Sequence, residues 1–479
     1  MASEERRLIK NSAIYSVFTL LQRGFSVILL PIYTFYLSKE EYGILSLMLA
    51  VIPFFALIFG LSIRGSTAYF YYEYKEDKKY LKRLLGTNFT LVVLVSVTCI
   101  VSIVLFRNWW SSFIFDDIPF SPYVILALIS TLFQPGYLFY QSLLKAKQEA
   151  NRSAKLDSAY FILVVVLTVV FIIGFKMQSE GALLALAIAN FSVFIYGAIN
   201  ISQELTYCID LKNVKKTLKY SLPILPHNLS GWAMDLADRF ILNKISTLEV
   251  LASFDLGAQV GKLINIITLG VNQAYGPWFI QQTKSNDDNS KMLAKTAEKL
   301  SLLYIAIAVA LSWIAPELIR LIGHSSYSDS WTVVPFIAFA FSINGFYFCF
   351  SSVFFLNKTK YLPILTISGA IVNVAINLLL IPFFGILGAA IARLISRILF
   401  ILLTLHVSQK LYYIPYKKLF IFGMNFFGFG LASLIYIVQP LIEFYNVWGL
   451  ISIKTILIVL FVSPVIIMNR KILKNLLKK

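Results

Sequence analysis

Six cations lie within or close to the ends of long apolar runs: Arg23, Arg239, Lys262, Arg393, Arg397 and Lys454. Three carboxylates, Asp235, Asp238 and Asp255, lie in two of the same runs. A bare charge at the centre of a bilayer costs at least about 2.5–3.5 kcal/mol, so groups like these must face protein or water. Cations held that way can bind an anion. Arg393 and Arg397, at i and i+4, fall on one helical face. Asp255, Gln259, Lys262 and Asn265 follow helical spacing and share one polar stripe if their helix is continuous. Arg23, Lys262 and Arg397 sit near the middle of their runs. Arg239 and Lys454 lie nearer the ends, where a long side chain snorkels to the interface. Arg239 is expected to pair with Asp235 or Asp238. The three aspartates read first as counter-ions that keep the cations charged, and alternatively as sites for a proton or sodium ion.

Other chemistries have little to work with. Cys99, Cys208 and Cys349 are scattered without a CxxC, and His227, His324 and His406 form no ligand spacing, so no metal or cofactor is expected. No cluster of acids or histidines suggests catalysis.

The elements that position these charges are membrane spans. Of 479 residues 58% are hydrophobic and only 14% charged, with a mean hydropathy of +0.76. A soluble domain is about 45–50% apolar and about 25% charged, so an all-α polytopic membrane protein is expected. A span needs about 20 apolar residues. Such runs number about fourteen: 12–37, 42–63, 84–106, 120–143, 156–176, 181–203, 219–243, 249–274, 296–315, 331–355, 362–381, 385–407, 418–437 and 447–468. The start, charged and followed by too long an apolar run, is not a cleavable signal.

The net charge of +18 is distributed by topology. With the amino terminus inside, 31 of the 42 Lys and Arg residues fall in cytoplasmic segments, Arg64 and Lys145 among them, and five in external ones. That asymmetry predicts both termini cytoplasmic. No loop exceeds roughly 25 residues, too short for the extramembrane domain of a membrane-bound transferase or polymerase.

A weak repeat runs through the chain at an offset of about 208 residues. Leu37-Ser38-Lys39-Glu40-Glu41 corresponds to Ile245-Ser246-Thr247-Leu248-Glu249, and Gly181-Ala182-Leu183-Leu184-Ala185 to Gly388-Ala389-Ala390-Ile391-Ala392. Six spans per copy make a parallel duplication, which places a substrate site between halves. The expected division is 1–210 and 211–410, two six-helix lobes, with 411–479 adding two helices and a basic tail.

Three passages carry a resemblance: Asp238-Arg239-Phe240-Ile241-Leu242, Ala274-Tyr275-Gly276-Pro277, and the stretch from Asn373 through Asn377 and Pro382 to Ala392. Together they resemble the polysaccharide-biosynthesis (Wzx-type) flippases of the multidrug/oligosaccharidyl-lipid/polysaccharide exporter superfamily. The resemblance implies alternating access through a central cavity in a bacterial plasma (inner) membrane. Its implied substrate is an undecaprenyl-diphosphate-linked oligosaccharide, moved to the outer leaflet for O-antigen, capsule or exopolysaccharide assembly. Arg393 and Asp255 depart from the residues usual in the family at those points. On this reading Arg23, Lys262, Arg393, Arg397 and Arg239 line a cationic cavity, with Gln259 and Asn265 as neutral polar lining. A polysaccharide polymerase and a chain-length regulator are candidate partners, nucleic acid is not, and a monomer suffices because the halves already build one cavity. The competing transporter reading is a multidrug exporter, whose cationic cargo those side chains would repel.

Overall fold

The computed structural model describes residues 28–111, 115, 118–284, 289–356, 361–445 and 454. Arg23 and most of the first and last expected spans lie outside them. The described residues are helical and contain no strand. Contacts divide the chain into two compact units, Met1–Ala252 and Ser253–Lys479. This boundary of contact is a different quantity from the boundary of sequence repetition at 210.

The helices used below are α1 (Leu29–Tyr36), α2 (Lys39–Phe59), α3 (Ile63–Tyr74), α4 (Lys78–Leu105), α5 (Ile125–Ala146), α6 (Ala150–Val169), α7 (Gln178–Ile201), α8 (Leu211–Ser221) and α9 (Leu225–Ile245). They continue with α10 (Leu248–Gly261), α11 (Ile264–Lys284), α12 (Ser290–Ile322), α13 (Val334–Ser351), α14 (Tyr361–Leu411), α15 (Lys418–Ser433) and α16 (Ile435–Tyr445). Among the described residues nine helical segments are long and apolar enough to cross a membrane, and α10 with the first part of α11 makes a bent tenth. The longest segment, α14, holds two expected spans, reversed at Gly385, whose φ of +53° suits glycine. The chain is an all-α polytopic membrane protein.

Local chemistry sets the starts of several helices. Ser38 caps α2 by accepting from the Glu41 amide at 3.2 Å, with Glu40 and Glu41 in the first turn. Asp77 caps α4 through the Tyr80 amide, and Asp210 caps α8 through that of Lys212. Within the spans, Thr34, Ser96, Thr131, Ser312 and Thr404 each donate to the carbonyl four residues earlier. Each hydroxyl is thereby satisfied on its own helix, as an environment without water requires.

Unit 1 packs α3, α4, α5 and α7 around Ile63, Leu85, Phe89, Phe139 and Leu143. Helix α9 joins it through Trp232, whose ring lies 4.5 Å from that of Phe54, tilted by 37°, and which donates to the Ala50 carbonyl at 3.1 Å. The core of unit 2 holds Phe254, Tyr304, Phe339, Phe350 and Phe354, all fully buried. Its outer surface inverts the pattern of a soluble protein. Along the first half of α14, Ile364, Ile371 and Leu378 are exposed while Asn373 and Asn377 on another face are buried. Apolar groups face out and polar groups face in, so that surface meets lipid.

Lys454 departs from the snorkelling expected of it. It is buried, and its Nζ lies 2.9 Å from both carboxylate oxygens of Glu317 and 3.2 Å from Gln439 Oε1. A carboxylate and an amide offered inside the unit hold the ammonium better than a reach to the interface would. The pair is asymmetric, since the Lys454 side chain is 4% exposed and that of Glu317 46%. Glu317→Ala leaves a buried charge without its carboxylate, a change that costs about 3–5 kcal/mol. Lys454→Met frees only a half-exposed carboxylate and is expected to cost less than about 1 kcal/mol, close to the value of an exposed pair. Thermal melts of the two variants in detergent measure this order, and an equal loss would contradict it.

Candidate functional site

The expected polar stripe of the eighth window does not run along one helix. Helix α10 ends at Gly261 and α11 begins at Ile264, bent by 43°. The amides of Leu263 and Asn265 bond three residues back rather than four, to Val260 and Lys262. Gly261 lies so near α13 that a Cβ there would come within 2.7 Å of the Ile337 Cβ. Close packing of a glycine surface thus coincides with the break, and Lys262 sits in it. Asp255 is buried in α10, Gln259 is half-buried beyond it, and Asn265, also half-buried, accepts from Thr268 at 3.2 Å in α11. These four residues therefore belong to two helical segments.

Lys262 and Arg397 approach the same helix. Lys262 Nζ is 6.0 Å from the centre of the Phe341 ring, and Arg397 Nη1 donates to Asn344 Oδ1 at 3.4 Å. Phe341 and Asn344, three residues apart, share a face of α13. Arg393, one turn before Arg397, is buried with its guanidinium 5.7 Å from the centre of Phe254, the neighbour of Asp255 on α10. A guanidinium or ammonium over a ring face is held by the ring quadrupole. In unit 2, then, Lys262, Arg393 and Arg397 are gathered by α10, α13 and α14.

A polar clasp positions the two arginines. Asn373 Nδ2 donates to Ser396 Oγ at 2.9 Å across the two halves of α14, and Asn377 Nδ2 donates to the Asn373 carbonyl. The Ser396 hydroxyl in turn donates to the Arg393 carbonyl at 3.0 Å. The Asn373-to-Asn377 passage thus fixes the face on which Arg393 and Arg397 stand.

The remaining expected residues lie in unit 1 on α9. Asp238 and Arg239 are buried and Asp235 is half-buried. Asp238 Oδ1 accepts from the backbone amide of Arg239 at 3.0 Å.

Sequence reasoning passed over a second polar group in unit 1. A cavity of about 600 Å³ is lined by residues of α5 and α6 together with Arg64 and Gly65 at the start of α3. Tyr137 and Gln141 both donate to Asp157 Oδ1, the latter at 2.7 Å, and Ser153 and Gln141 bond each other reciprocally. The signal was present in α5, where Gln134, Tyr137 and Gln141 follow i, i+3, i+7 spacing inside an apolar span. Lys145 continues the stripe at its end.

The polysaccharide biosynthesis protein family matches residues 8–283, more than half of the chain. The chain belongs to that family. Two relatives come from Haemophilus influenzae. A protein of the Lsg locus is 24% identical over 399 residues, covering 80% of this chain and 95% of its own length. An uncharacterized membrane protein is 22% identical, covering 80% and 94%. Among solved structures, the lipid II flippase MurJ in an inward closed conformation superposes with a TM-score of 0.70 at 13% identity, covering 96% of this chain and all of that one. An inward-facing multidrug resistance MATE family transporter superposes at 0.60 with 16% identity, covering 83% and 96%. At such identities these structures establish the fold that the chain shares with them.

The bend makes its own prediction. Gly261→Ala should separate α10 from α13 and destabilise unit 2 by about 1–3 kcal/mol, the range for an overpacked contact. A lowered melting temperature in detergent checks it. An unchanged melt would show that α13 yields without cost.

Proposed function

We propose that this chain is a flippase that carries an undecaprenyl-diphosphate-linked oligosaccharide from the cytoplasmic to the outer leaflet of a bacterial plasma membrane. It transports and does not catalyse. The observation that carries the reading is the burial of Arg393 and Arg397 in an apolar helix of a polysaccharide biosynthesis family member. An anionic diphosphate linkage is the cargo that such cations suit. Lys262 belongs with them because it sits at a helix break, the kind of site from which discontinuous helices address ions in transporters. Arg23 and Arg239 complete the proposed set.

On this reading the lobes 1–210 and 211–410 alternate access, 411–479 adds two helices, and both termini are cytoplasmic, as the distribution of lysines and arginines supports. Asp235, Asp238 and Asp255 act as counter-ions. Coupling to a proton or sodium gradient through one of them is the alternative role. One chain forms the functional unit, and a polymerase and chain-length regulator take the product.

The MATE likeness favours a second reading, a multidrug exporter. An organic cation brought to Lys262, Arg393 and Arg397 would be repelled, and the lipid-linked anion is preferred for that reason.

The test follows the lipid-linked saccharide in cells lacking the protein. It should accumulate in the inner leaflet and clear when the wild type is restored. Arg393→Ala, Arg397→Ala and Lys262→Ala should each slow clearance about tenfold or more, equivalent to losing one charge-assisted contact. Normal clearance by all three variants would make these cations structural. A null strain without the accumulated intermediate would remove the substrate assignment.

A further inference from the structure

The cavity of unit 1 has a composition that the buried cations of unit 2 lack. Its walls mix a carboxylate, two amides and two phenols, and Arg64 and Lys145 stand exposed at its edge. Tyr137 and Tyr160 stack at 5.5 Å with 26° between their planes. The Tyr160 hydroxyl accepts from Asn190, which also donates to Ser130 at 2.9 Å, so that ring is fixed from behind. Ser142 donates to the Arg64 carbonyl at 2.7 Å and ties the start of α3 to α5. Gln134 Oε1, at the inner end of the stripe, is buried and accepts no hydrogen bond among the described residues. An acceptor left open on a wall otherwise satisfied calls for a donor from outside.

A ligand that answers all of these features is rich in hydroxyls, has an apolar ring face for the tyrosines, and is anionic where it meets Arg64 and Lys145. A small organic cation fails the last condition, and a metal ion fails the first two. The volume of about 600 Å³ lies within the range of about 300–1,000 Å³ typical of small-molecule sites.

We infer that this cavity is a capture site for a glycosyl diphosphate headgroup, with sugar hydroxyls on Gln134 and Asp157 and the diphosphate on Arg64 and Lys145. The inference rests on the flippase reading, under which Arg64 and Lys145 lie at the cytoplasmic end, where the cargo loads. The lipid remains outside the cavity. Capture here is distinct from passage along Lys262, Arg393 and Arg397.

Binding to the full-length chain in phosphatidylcholine nanodiscs tests it. The probes are farnesyl diphosphate, farnesyl diphosphate carrying N-acetylglucosamine, galactose or glucose, and the matching uridine diphosphate sugars. The wild type should bind at least one glycosylated lipid more tightly than bare farnesyl diphosphate, and each nucleotide sugar more weakly than its lipid-linked counterpart. Gln134→Leu should remove the gain from the sugar, about tenfold for a lost hydrogen bond to a buried acceptor, and leave bare diphosphate unaffected. Arg64→Gln should weaken every diphosphate lipid about tenfold. Because Arg64 and Lys145 are exposed, their glutamine variants fold irrespective of how Gln134→Leu behaves, and they decide the diphosphate half alone. Wild-type affinity in both Gln134→Leu and Arg64→Gln would overturn the capture site. If Arg397→Ala still loses binding in that assay, the flippase reading survives it. Equal affinity for the nucleotide sugars would overturn the lipid-linked assignment, and no binding of any probe to the wild type would remove both readings.

Discussion

No water is available in the hydrocarbon core to satisfy a polar group, and the arrangement of this protein follows from that constraint. Backbone groups are satisfied by helix formation. Threonine and serine hydroxyls in the spans turn back onto their own carbonyls. What remains must find partners on neighbouring helices, and those partners choose which helices pack. Asn373 and Ser396 hold the two halves of α14, Asn425 reaches Ser301 from α15 to α12, and Lys454 is held by Glu317. Packing among apolar side chains gains little here, because lipid tails are as apolar as leucine. Polar clasps and close glycine contacts supply the specificity instead, as at Gly257, where a Cβ would fall 2.1 Å from the Ser330 carbonyl oxygen.

The contacts described for the buried cations differ in kind. Lys454 takes both oxygens of a carboxylate, a pairing that neutralises it and suits a fixed joint. Arg397 contacts an amide at 3.4 Å, near the long limit for a hydrogen bond, and Arg393 and Lys262 approach aromatic faces. Two buried positive charges one turn apart on one helix repel each other, so their spacing depends on compensation by the groups around them.

Much of the architecture was legible because span length and loop charge are one-dimensional properties. The apolar runs and the α14 reversal follow from composition and from Gly385-type punctuation. The charge stripe of the eighth window was misread for a physical reason: periodicity assumes a continuous helix, and the 43° bend depends on how closely Gly261 meets Ile337 on another helix. Lys454 was misread because its distance from the interface said nothing of Glu317, 137 residues away. The unit 1 cavity was overlooked for the opposite reason. Arg64 and Lys145 had been explained fully as topology signals, and Asp157 fell at the edge of a span, so no residue of the cluster stood out by itself. Only the fold brings α3, α5 and α6 together around it.

The break at Lys262 is where the proposed transport role would coincide with a structural feature. Helix α10 ends at Gly261, and the partial negative charge at a helix C-terminus favours a cation by about 0.3–1 kcal/mol. That stabilisation helps hold an ammonium at a depth where an intact helix would offer it none. The same break removes the continuity that would make α10 and α11 move as one rod. A lysine at such a joint is sensitive to the angle of the joint, since its distance from Phe341 changes when the segments swing. Under the proposed flippase reading, an anion attracted to Lys262 would act on the bend itself, which places the proposed recognition where it would be converted into a change of shape.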